Sequence, residues 1–427
     1  MRCLPMSIFH DMIESFRDAC YIWAQEMKQV FRDEGVLIFF IVVPLAYPLL
    51  YSWIYNNEVV REVPVVVVDD SHSGLSRQLI RSCDASPDVR VFCYAADLDE
   101  AKSLVSRQLA KGIYYIPSDF EERLERMEQA TVSVYCDMSL MLTYKAIYQT
   151  AMLVTQKMGG ELQVKRSNPY TKRDAEIAVK PLAYEDVPLF NPGGGYGSFI
   201  LPAVLILILQ QTLVLGIGLS AGTARENNRY HDLIPIDAHY QGIFRIVGGK
   251  FMCYFMIYLV MGAYLTLFVP WLFSFPMLAH WQDLLLLMLP YIMACIFFGM
   301  IVSCIVRYRE NVMLLVVFVS VPLLFLTGVS WPQSNIPPFW QGVSWLFPST
   351  FGVRAYIRMN TMGGTLSDVM FEYRLIWLQA LVYFLITSVV YRHQIVMSRN
   401  HALERLNRIG RKLEVVTQIK RRKKKEE

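Results

Sequence analysis

Residues 199–221 read FILPAVLILILQQTLVLGIGLSA, a stretch that contains no charged side chain. A run of roughly 20 apolar residues is long enough to cross the hydrocarbon core of a bilayer as a helix. A helix on the surface of a soluble protein keeps one polar face, and this stretch has none. It therefore predicts a membrane-spanning helix, and it decides the class to which the chain belongs.

Further stretches of the same kind lie on both sides of this one. They cover about 36–55, 251–273, 284–306, 312–329 and 375–396. The composition agrees, because 54% of the 427 residues are hydrophobic and the mean hydropathy is +0.32. No small-residue cleavage site follows the first stretch, so it predicts a retained span and not a cleaved signal peptide. The predicted fold class is an α-helical polytopic membrane protein with about six transmembrane helices.

The short connections between spans predict the orientation. Basic residues gather between the second and third spans and between the fourth and fifth: Arg225, Arg229, Arg245, Lys250, Arg307 and Arg309. The connection 274–283 has no lysine or arginine. Loops rich in Lys and Arg stay in the cytoplasm, which places both termini there as well. Arg354 and Arg358 oppose this orientation, since they fall outside.

The segment 56–196 then lies outside the cytoplasm, and it is too long and too polar to be a simple loop. Buried-type strands at 63–68, 89–94, 112–116 and 131–136 alternate with helical patterns at 75–82, 98–110, 120–127 and 140–158. Such alternation is typical of a small α/β domain with a mixed or parallel sheet. We therefore expect an α/β extracytoplasmic domain inserted between the first and second spans, with 197–396 holding the other five spans.

The two ends of the chain are polar but differ in kind. Residues 1–35 form an amphipathic pattern, which predicts a cytoplasmic helix that lies in the membrane interface or packs against a partner subunit. Residues 397–427 form a basic cytoplasmic tail. It is either solvated or in contact with anionic membrane lipids. Nucleic acid is not expected as a partner, because no folded basic domain accompanies the tail.

Motifs for chemistry on this chain are missing from the sequence. Gly248-Gly249-Lys250 is followed by Phe251 and lacks the spacing of a phosphate-binding loop. Asp70, Ser71 and His72 are adjacent, a pattern that indicates a surface turn and not a catalytic triad. We therefore predict no catalytic, cofactor-binding or metal-binding residues.

The cysteines show no metal-binding spacing either. Cys83, Cys93 and Cys136 fall in the α/β domain, where one disulfide could form, and the sequence leaves a Cys83–Cys93 bond open. The spans themselves contain almost no charge. A carrier driven by protons or ions usually needs ionisable groups within the membrane, so the energy for any transport is expected to come from another source.

Several motifs resemble one family. LFNP at 189–192, followed by Tyr196, Phe199 and Pro202, resembles the start of the second span in ABC-2-type permeases with a large extracytoplasmic domain. GTARE at 222–226 and LIP at 233–235 resemble that family's coupling segment. LTGVSWP at 326–332, IPPFW at 336–340 and FPST at 347–350 are similar to its re-entrant segment between the last two spans.

The resemblance implies a function, partners and sites. The chain would be the permease subunit of an ABC-type exporter in a bacterial inner membrane. A separate ATPase subunit would hold ATP and Mg, a second permease subunit would complete the pathway, and a periplasmic adaptor could join outside. The residues implied to couple to the ATPase are Arg225, Glu226, Leu233 and Pro235. Those implied for an exit segment at about 330–350 are Gly328, Trp331, Pro332, Pro337, Pro338, Pro348 and Arg354.

Plainer interpretations stay open beside these. Arg225 and Glu226 could form an ordinary ion pair in a loop, and the Pro- and Trp-rich segment could be an interfacial loop with aromatic anchors. A membrane-anchored receptor or structural protein is the alternative function, but the tail is too short and too basic for an output domain. An intramembrane enzyme is a further alternative, and it lacks a catalytic constellation. The transported substrate cannot be read from the sequence.

Overall fold

The chain divides into two units, one formed by 1–56 with 196–427 and the other by 57–195. The computed structural model describes residues 4–56, 59–126, 128–167, 171–179, 187, 189–191, 193–228, 232–235, 240, 242–306 and 308–426. The first unit is helical, whereas the second combines a sheet with helices.

Six helices in the described part of the first unit are long and apolar enough to cross a membrane. They are Glu34–Ile54, Tyr196–Asn227, Ile243–Leu272, Trp281–Ile305, Arg309–Leu326 and Met370–His401. The last belongs to a longer helix, Met370–Glu426. These are the six spans predicted from the apolar stretches, and the chain is a multi-pass membrane protein.

The second span is longer than predicted at its C-terminal end, and the third span is longer than predicted at its N-terminal end. The second ends at Asn227 and not near Ala221, and the third begins at Ile243 and not near Phe251. Lys250, expected in a loop, therefore lies in a helix and is buried. The apolar stretch alone could not show this, because the polar residues beyond it gain partners in the folded bundle and so continue the helix.

The second span is the centre of the bundle. Of the residues in its most apolar stretch, 78% are buried, whereas the corresponding share for the fifth span is 17%. Small residues allow neighbouring spans to approach it closely. A Cβ atom added at Gly216 would lie 1.6 Å from the ring of Phe40 in the first span, so the two helices cross in contact at this glycine.

The segment between the fifth and sixth spans has an exposed part and a buried part. A short 3-10 turn, Gln333–Asn335, and the helix Pro338–Ser344 are mostly exposed. The following helix, Pro348–Asn360, which we call the inserted helix, is buried and packs against the second, fourth and sixth spans. The predicted segment 330–350 thus covers the exposed part, whereas the buried helix begins at Pro348 and runs past its end.

An amphipathic helix, Leu4–Arg32, precedes the first span and packs on the third span of the same chain. Residues four apart form one stripe of a helix. The stripe that faces the bundle contains Asp18, Ile22, Glu26 and Val30. The apolar residues Ile13, Phe16 and Phe31 are exposed. Ile22 and Val30 belong to the hydrophobic core of the bundle, so apolar contacts and ion pairs together hold the helix to its own chain. The sequence predicted contact with the membrane interface or with a partner subunit and did not indicate this contact within the chain.

The second unit contains a four-stranded mixed sheet. The strands, in chain order β1 to β4, are Val63–Asp69, Val89–Tyr94, Gly112–Ile116 and Ser133–Cys136. Their order in the sheet is β2-β1-β3-β4, with β1 parallel to β2 and β3 and with β4 antiparallel to β3. The helices are Gly74–Asp84, Leu98–Ser106, Phe120–Glu125, Met141–Ser167 and Lys172–Val179. The predicted strands and the mixed sheet are confirmed.

The three cysteines of this unit are unpaired. Cys83 lies in the hydrophobic layer on one face of the sheet, and Cys93 packs against the layer on the other face. The cause is an irregularity in β2, where Val65 pairs with Val91 but Val66 pairs with Cys93. The extra residue moves the side chain of Cys93 to the opposite face of the sheet from Cys83. The Cys83–Cys93 bond left open by the sequence is therefore not formed.

Candidate functional site

A buried cluster of polar groups joins the amphipathic helix to the second and third spans. The carboxylate of Glu26 accepts a hydrogen bond from Lys250 Nζ at 2.7 Å and another from Ser220 Oγ at 2.9 Å. The hydroxyl of Tyr254 also donates to Glu26. Both charged side chains are at most 6% exposed. Glu26 therefore has a partner for each oxygen, as a buried charge requires.

Two more ion pairs lie along the same helix and just beyond it. Arg245 Nη1, in the first turn of the third span, donates to Asp18 Oδ2 at 2.5 Å. Arg309 Nη2, at the start of the fifth span, donates to Asp33 Oδ1 at 3.0 Å. Thr223 of the second span donates to the other oxygen of Asp33. Asp18 and Glu26 thus attach the helix to the second and third spans, and Asp33, just after the helix, attaches the start of the first span to the second and fifth.

The surroundings keep two of these carboxylates, Glu26 and Asp33, charged. Burial alone would raise the pKa of Glu26, but the Lys250 ammonium and the hydrogen bonds it receives lower that pKa below its ordinary value of 4.5. Burial likewise acts to raise the pKa of Asp33, and the hydrogen bonds from Thr223 and the Val36 amide, with the charge of Arg309, lower it. Both groups are ionised at neutral pH.

A groove of about 830 Å³ opens beside these ion pairs. One wall is the polar side of the amphipathic helix, and the other is the end of the second span with the chain that follows it. The lining includes Gln25, Lys28, Gln29, Arg32, Asn227, Asn228, Leu233, Ile234, Pro235 and Tyr240. The groove is therefore lined mostly by polar and charged side chains, and residues 233–235 form an apolar ledge, meaning an apolar part of its wall.

A second polar arrangement holds the inserted helix. Gln210 is 2% exposed in the second span, and its Oε1 accepts a hydrogen bond from the Ser349 amide at 2.6 Å. An amide nitrogen in the first turn of a helix has no partner within that helix, so Gln210 acts as its cap. The sixth span adds Gln379, which donates to Trp345 O at 2.6 Å, and Tyr383, which donates to Leu346 O.

The comparison with known proteins identifies the family. The profile of ABC-2 family transporter proteins matches residues 35–389, which is most of the chain. The chain belongs to the ABC-2 transporter family. Two curated relatives share the name "Probable multidrug ABC transporter permease YbhR", one from Escherichia coli strain K12 and one from Escherichia coli O157:H7. Each is 19% identical over 327 residues, which is 76% of this chain and 84% of the relative.

In this ABC-2 family protein the residues implied for coupling lie at or near the groove, but in unequal settings. Arg225 is buried, and its Nη1 donates to Val306 O at 2.9 Å. Glu226 is largely exposed and lies 3.7 Å from Arg309. Leu233 is buried in the groove wall, whereas Pro235 is exposed there. Arg225 therefore joins the end of the second span to the end of the fourth span, whereas Glu226 and Pro235 are accessible at the surface.

The residues implied for an exit segment also separate into two groups. Trp331, Pro332, Pro337 and Pro338 are exposed, whereas Pro348 is buried as the first residue of the inserted helix. Gly328 follows the fifth span with a φ of +91°. A positive φ is strained for residues with a side chain, so the turn that starts this segment needs glycine.

Arg354 and Arg358, which opposed the predicted orientation, each have a partner. Arg354 Nε donates to Thr327 O at 3.2 Å, and Arg358 Nη1 donates to Glu372 Oε1 at 2.9 Å. Both arginines therefore have structural contacts within the ABC-2 fold. Arg245, Lys250 and Arg309, which favoured the orientation, are paired in the same way, so these contacts leave the orientation a prediction.

Sequence reasoning missed the central pair of the site, Glu26 and Lys250. Lys250 was assigned to a loop, and Glu26 was not assigned a role. A signal existed in the spacing, because Asp18 and Glu26 are eight residues apart and so lie on nearly the same face of a helix that is otherwise apolar there.

Proposed function

We propose that this chain is the permease subunit of an ABC exporter in a bacterial inner membrane. It moves a substrate outward, and a separate ATPase subunit hydrolyses ATP with Mg. The observation that carries the proposal is the attachment of the amphipathic helix and of Asp33 just after it beside an open groove. Two ion pairs bind them to the third span, one ion pair binds them to the fifth span, and hydrogen bonds from Ser220 and Thr223 bind them to the second span. Membership of the ABC-2 family supplies the class of energy source.

The ion pairs suggest how force reaches the spans. An ATPase that docks in the groove contacts the amphipathic helix and the end of the second span at once. Because Glu26 and Lys250 are desolvated and bonded to each other, separating them is costly. A displacement of the helix therefore moves the third span with it, and it does not merely break surface contacts.

The remaining geometry of the complex follows from this role. The amphipathic-helix end and both termini are cytoplasmic, and unit 57–195 is extracytoplasmic, where it meets a periplasmic adaptor or controls the exit. The pathway forms between two permease subunits. The fifth span is the least buried of the six, at 17% of its most apolar stretch, so its face is open to a second subunit as well as to lipid. The relatives are named as probable multidrug permeases, which favours drug-like cargo here.

The test is purification of the chain from its native membrane, followed by reconstitution with the ATPase that accompanies it. Hydrolysis and substrate movement are measured together. We expect both to require the two subunits, and an ATPase variant that binds but does not hydrolyse ATP should abolish movement. Substrate transport by the isolated chain would refute the proposal.

A further inference from the structure

The groove beside the amphipathic helix carries positive charge that no acidic side chain among the described lining residues pairs with. Its two carboxylates, Glu26 and Asp33, are already bonded to cations of the spans. Lys28 and Arg32 also line it, and both are exposed. Neither has an ion pair or hydrogen bond within the described ranges of the chain. The wall thus presents two cations to whatever occupies the groove.

The shape and lining favour a peptide segment as the occupant. The recess has a volume of about 830 Å³. Gln25 and Asn227 offer amide donors and acceptors on opposite walls, and Pro235 forms part of an apolar ledge. A polypeptide matches such a mixture of hydrogen-bonding and apolar surface, as protein interfaces in general do.

The direction of the groove argues against a lipid headgroup. A helix turns about 100° per residue, so the groove residues Gln25 and Arg32 lie roughly 180° and 160° around the axis from Phe16 and roughly 120° and 100° from Phe31. Lys28 lies nearer the Phe31 side, roughly 60° from it. Phe16 and Phe31 are 66% and 57% exposed, and they form the face suited to the acyl boundary of a bilayer. With that face on the lipid, the groove opens toward water.

We infer that the groove receives an acidic segment of the ATPase subunit, whose Asp or Glu side chains pair with Lys28 and Arg32. The inference rests on the proposed function, since it assumes that an ATPase docks here. It adds the chemistry of the docking element, and it assigns to Lys28 and Arg32 a role in partner binding. Opposite charges facing each other across an interface raise the association rate and select the partner.

The first test uses the complete complex and a charge-neutralised variant, K28Q/R32Q. At low salt we expect its affinity for the ATPase to fall about tenfold, which is about 1.4 kcal/mol. The difference should shrink in 1 M salt, where the screening length is about 3 Å. R17Q is the matched control, because Arg17 is exposed on the same helix but does not line the groove. R17Q should bind like the wild type.

The second test identifies the contacted residue. A carbodiimide joins an amine to a carboxylate in direct contact, with loss of water and formation of an amide bond. In the wild-type complex we expect the Lys28 amine to couple to an Asp or Glu of the ATPase, which mass spectrometry of the joined peptides would locate. K28R should keep the affinity and lose the product, because a guanidinium does not couple in this way.

The outcomes separate the inference from the proposed function. Unchanged ATPase affinity in both K28Q/R32Q and K28E/R32E would overturn the inference and leave the proposed function intact. Loss of ATPase binding by these variants in nanodiscs of phosphatidylglycerol, but not of phosphatidylcholine, would also overturn it, since the groove would then bind an anionic lipid. If no ATPase accompanied even the wild-type chain, the proposed function itself would fail.

Discussion

Gln210, near the middle of the second span, accepts a hydrogen bond of 2.6 Å from the backbone amide of Ser349 in the inserted helix. This bond joins the most buried span to the helix that follows the exposed Pro- and Trp-rich segment. A motion of the second span therefore acts directly on the inserted helix. The groove lies at the end of the same span, so one helix connects the two polar arrangements.

The first prediction concerns this cap. Gln210→Leu removes the acceptor and leaves a buried amide without a partner, which costs about 1–3 kcal/mol. We expect faster hydrogen–deuterium exchange across 348–360 and reduced transport. Gln210→Glu keeps an acceptor oxygen and should retain more protection. Gln211→Leu is the control at the neighbouring position, and equal exchange in Gln210→Leu and Gln211→Leu would show that Gln210 is not a cap.

A second prediction concerns the central ion pair. Glu26→Gln leaves Lys250 as a buried charge without its counterion, and breaking such a pair costs about 3–5 kcal/mol. The double variant Glu26→Gln/Lys250→Gln removes both charges and should recover part of the loss. Thermal unfolding in detergent measures the difference. A single variant as stable as the wild type would mean that the pair does not hold the amphipathic helix.

The pH dependence of the same pair has a defined sign. The pKa of Glu26 lies below its ordinary value of 4.5 in the folded protein. The unfolded chain therefore binds the proton first, and the stabilisation is complete above pH 4.5 and is lost as the pH falls through the folded pKa. We expect the melting temperature of the wild type to fall below about pH 4.5 more steeply than that of Glu26→Gln/Lys250→Gln.

The exposed carboxylate near the groove should behave differently. Glu226 is 61% exposed and 3.7 Å from Arg309, so this contact is worth at most about 1 kcal/mol. Glu226→Ala should hardly change stability, yet it should weaken ATPase association or uncouple hydrolysis from export. Arg309→Gln also removes the partner of Asp33 and should lower stability. Wild-type behaviour of Glu226→Ala in hydrolysis and transport assays would exclude Glu226 from coupling.

The proposed orientation can be tested with an impermeant thiol reagent on spheroplasts. Ser118 and Asn227 are both exposed, and we expect Ser118→Cys to react and Asn227→Cys to be protected. Cys20, Cys93 and Cys136 are first replaced by serine. Burial raises the pKa of the native Cys83 thiol to about 12, so it stays protonated and unreactive at neutral pH. The reverse labelling pattern would invert the topology.

The sequence predicted those features that depend on local pattern. The six spans follow from the length of apolar stretches, and the mixed sheet follows from valine-rich strands such as 63–68 that alternate with amphipathic helices. The ion pairs could not be predicted in this way, because Glu26 and Lys250 are 224 residues apart and only the fold brings them together. Gln210 was visible as a polar break in an apolar stretch, but its partner was not.

The ion pairs of the amphipathic helix also set an order for biogenesis. Asp18 and Glu26 leave the ribosome 227 and 224 residues before their partners Arg245 and Lys250, and Asp33 precedes Arg309 by 276. Until the third and fifth spans are inserted, the three carboxylates lack their cationic partners, and only Ser220 and Thr223 of the second span and the Val36 amide can donate to Glu26 and Asp33. The helix therefore completes its ion pairs late in synthesis, and a nascent chain that stops before the third span holds Asp18, Glu26 and Asp33 without the cations that pair with them in the finished protein.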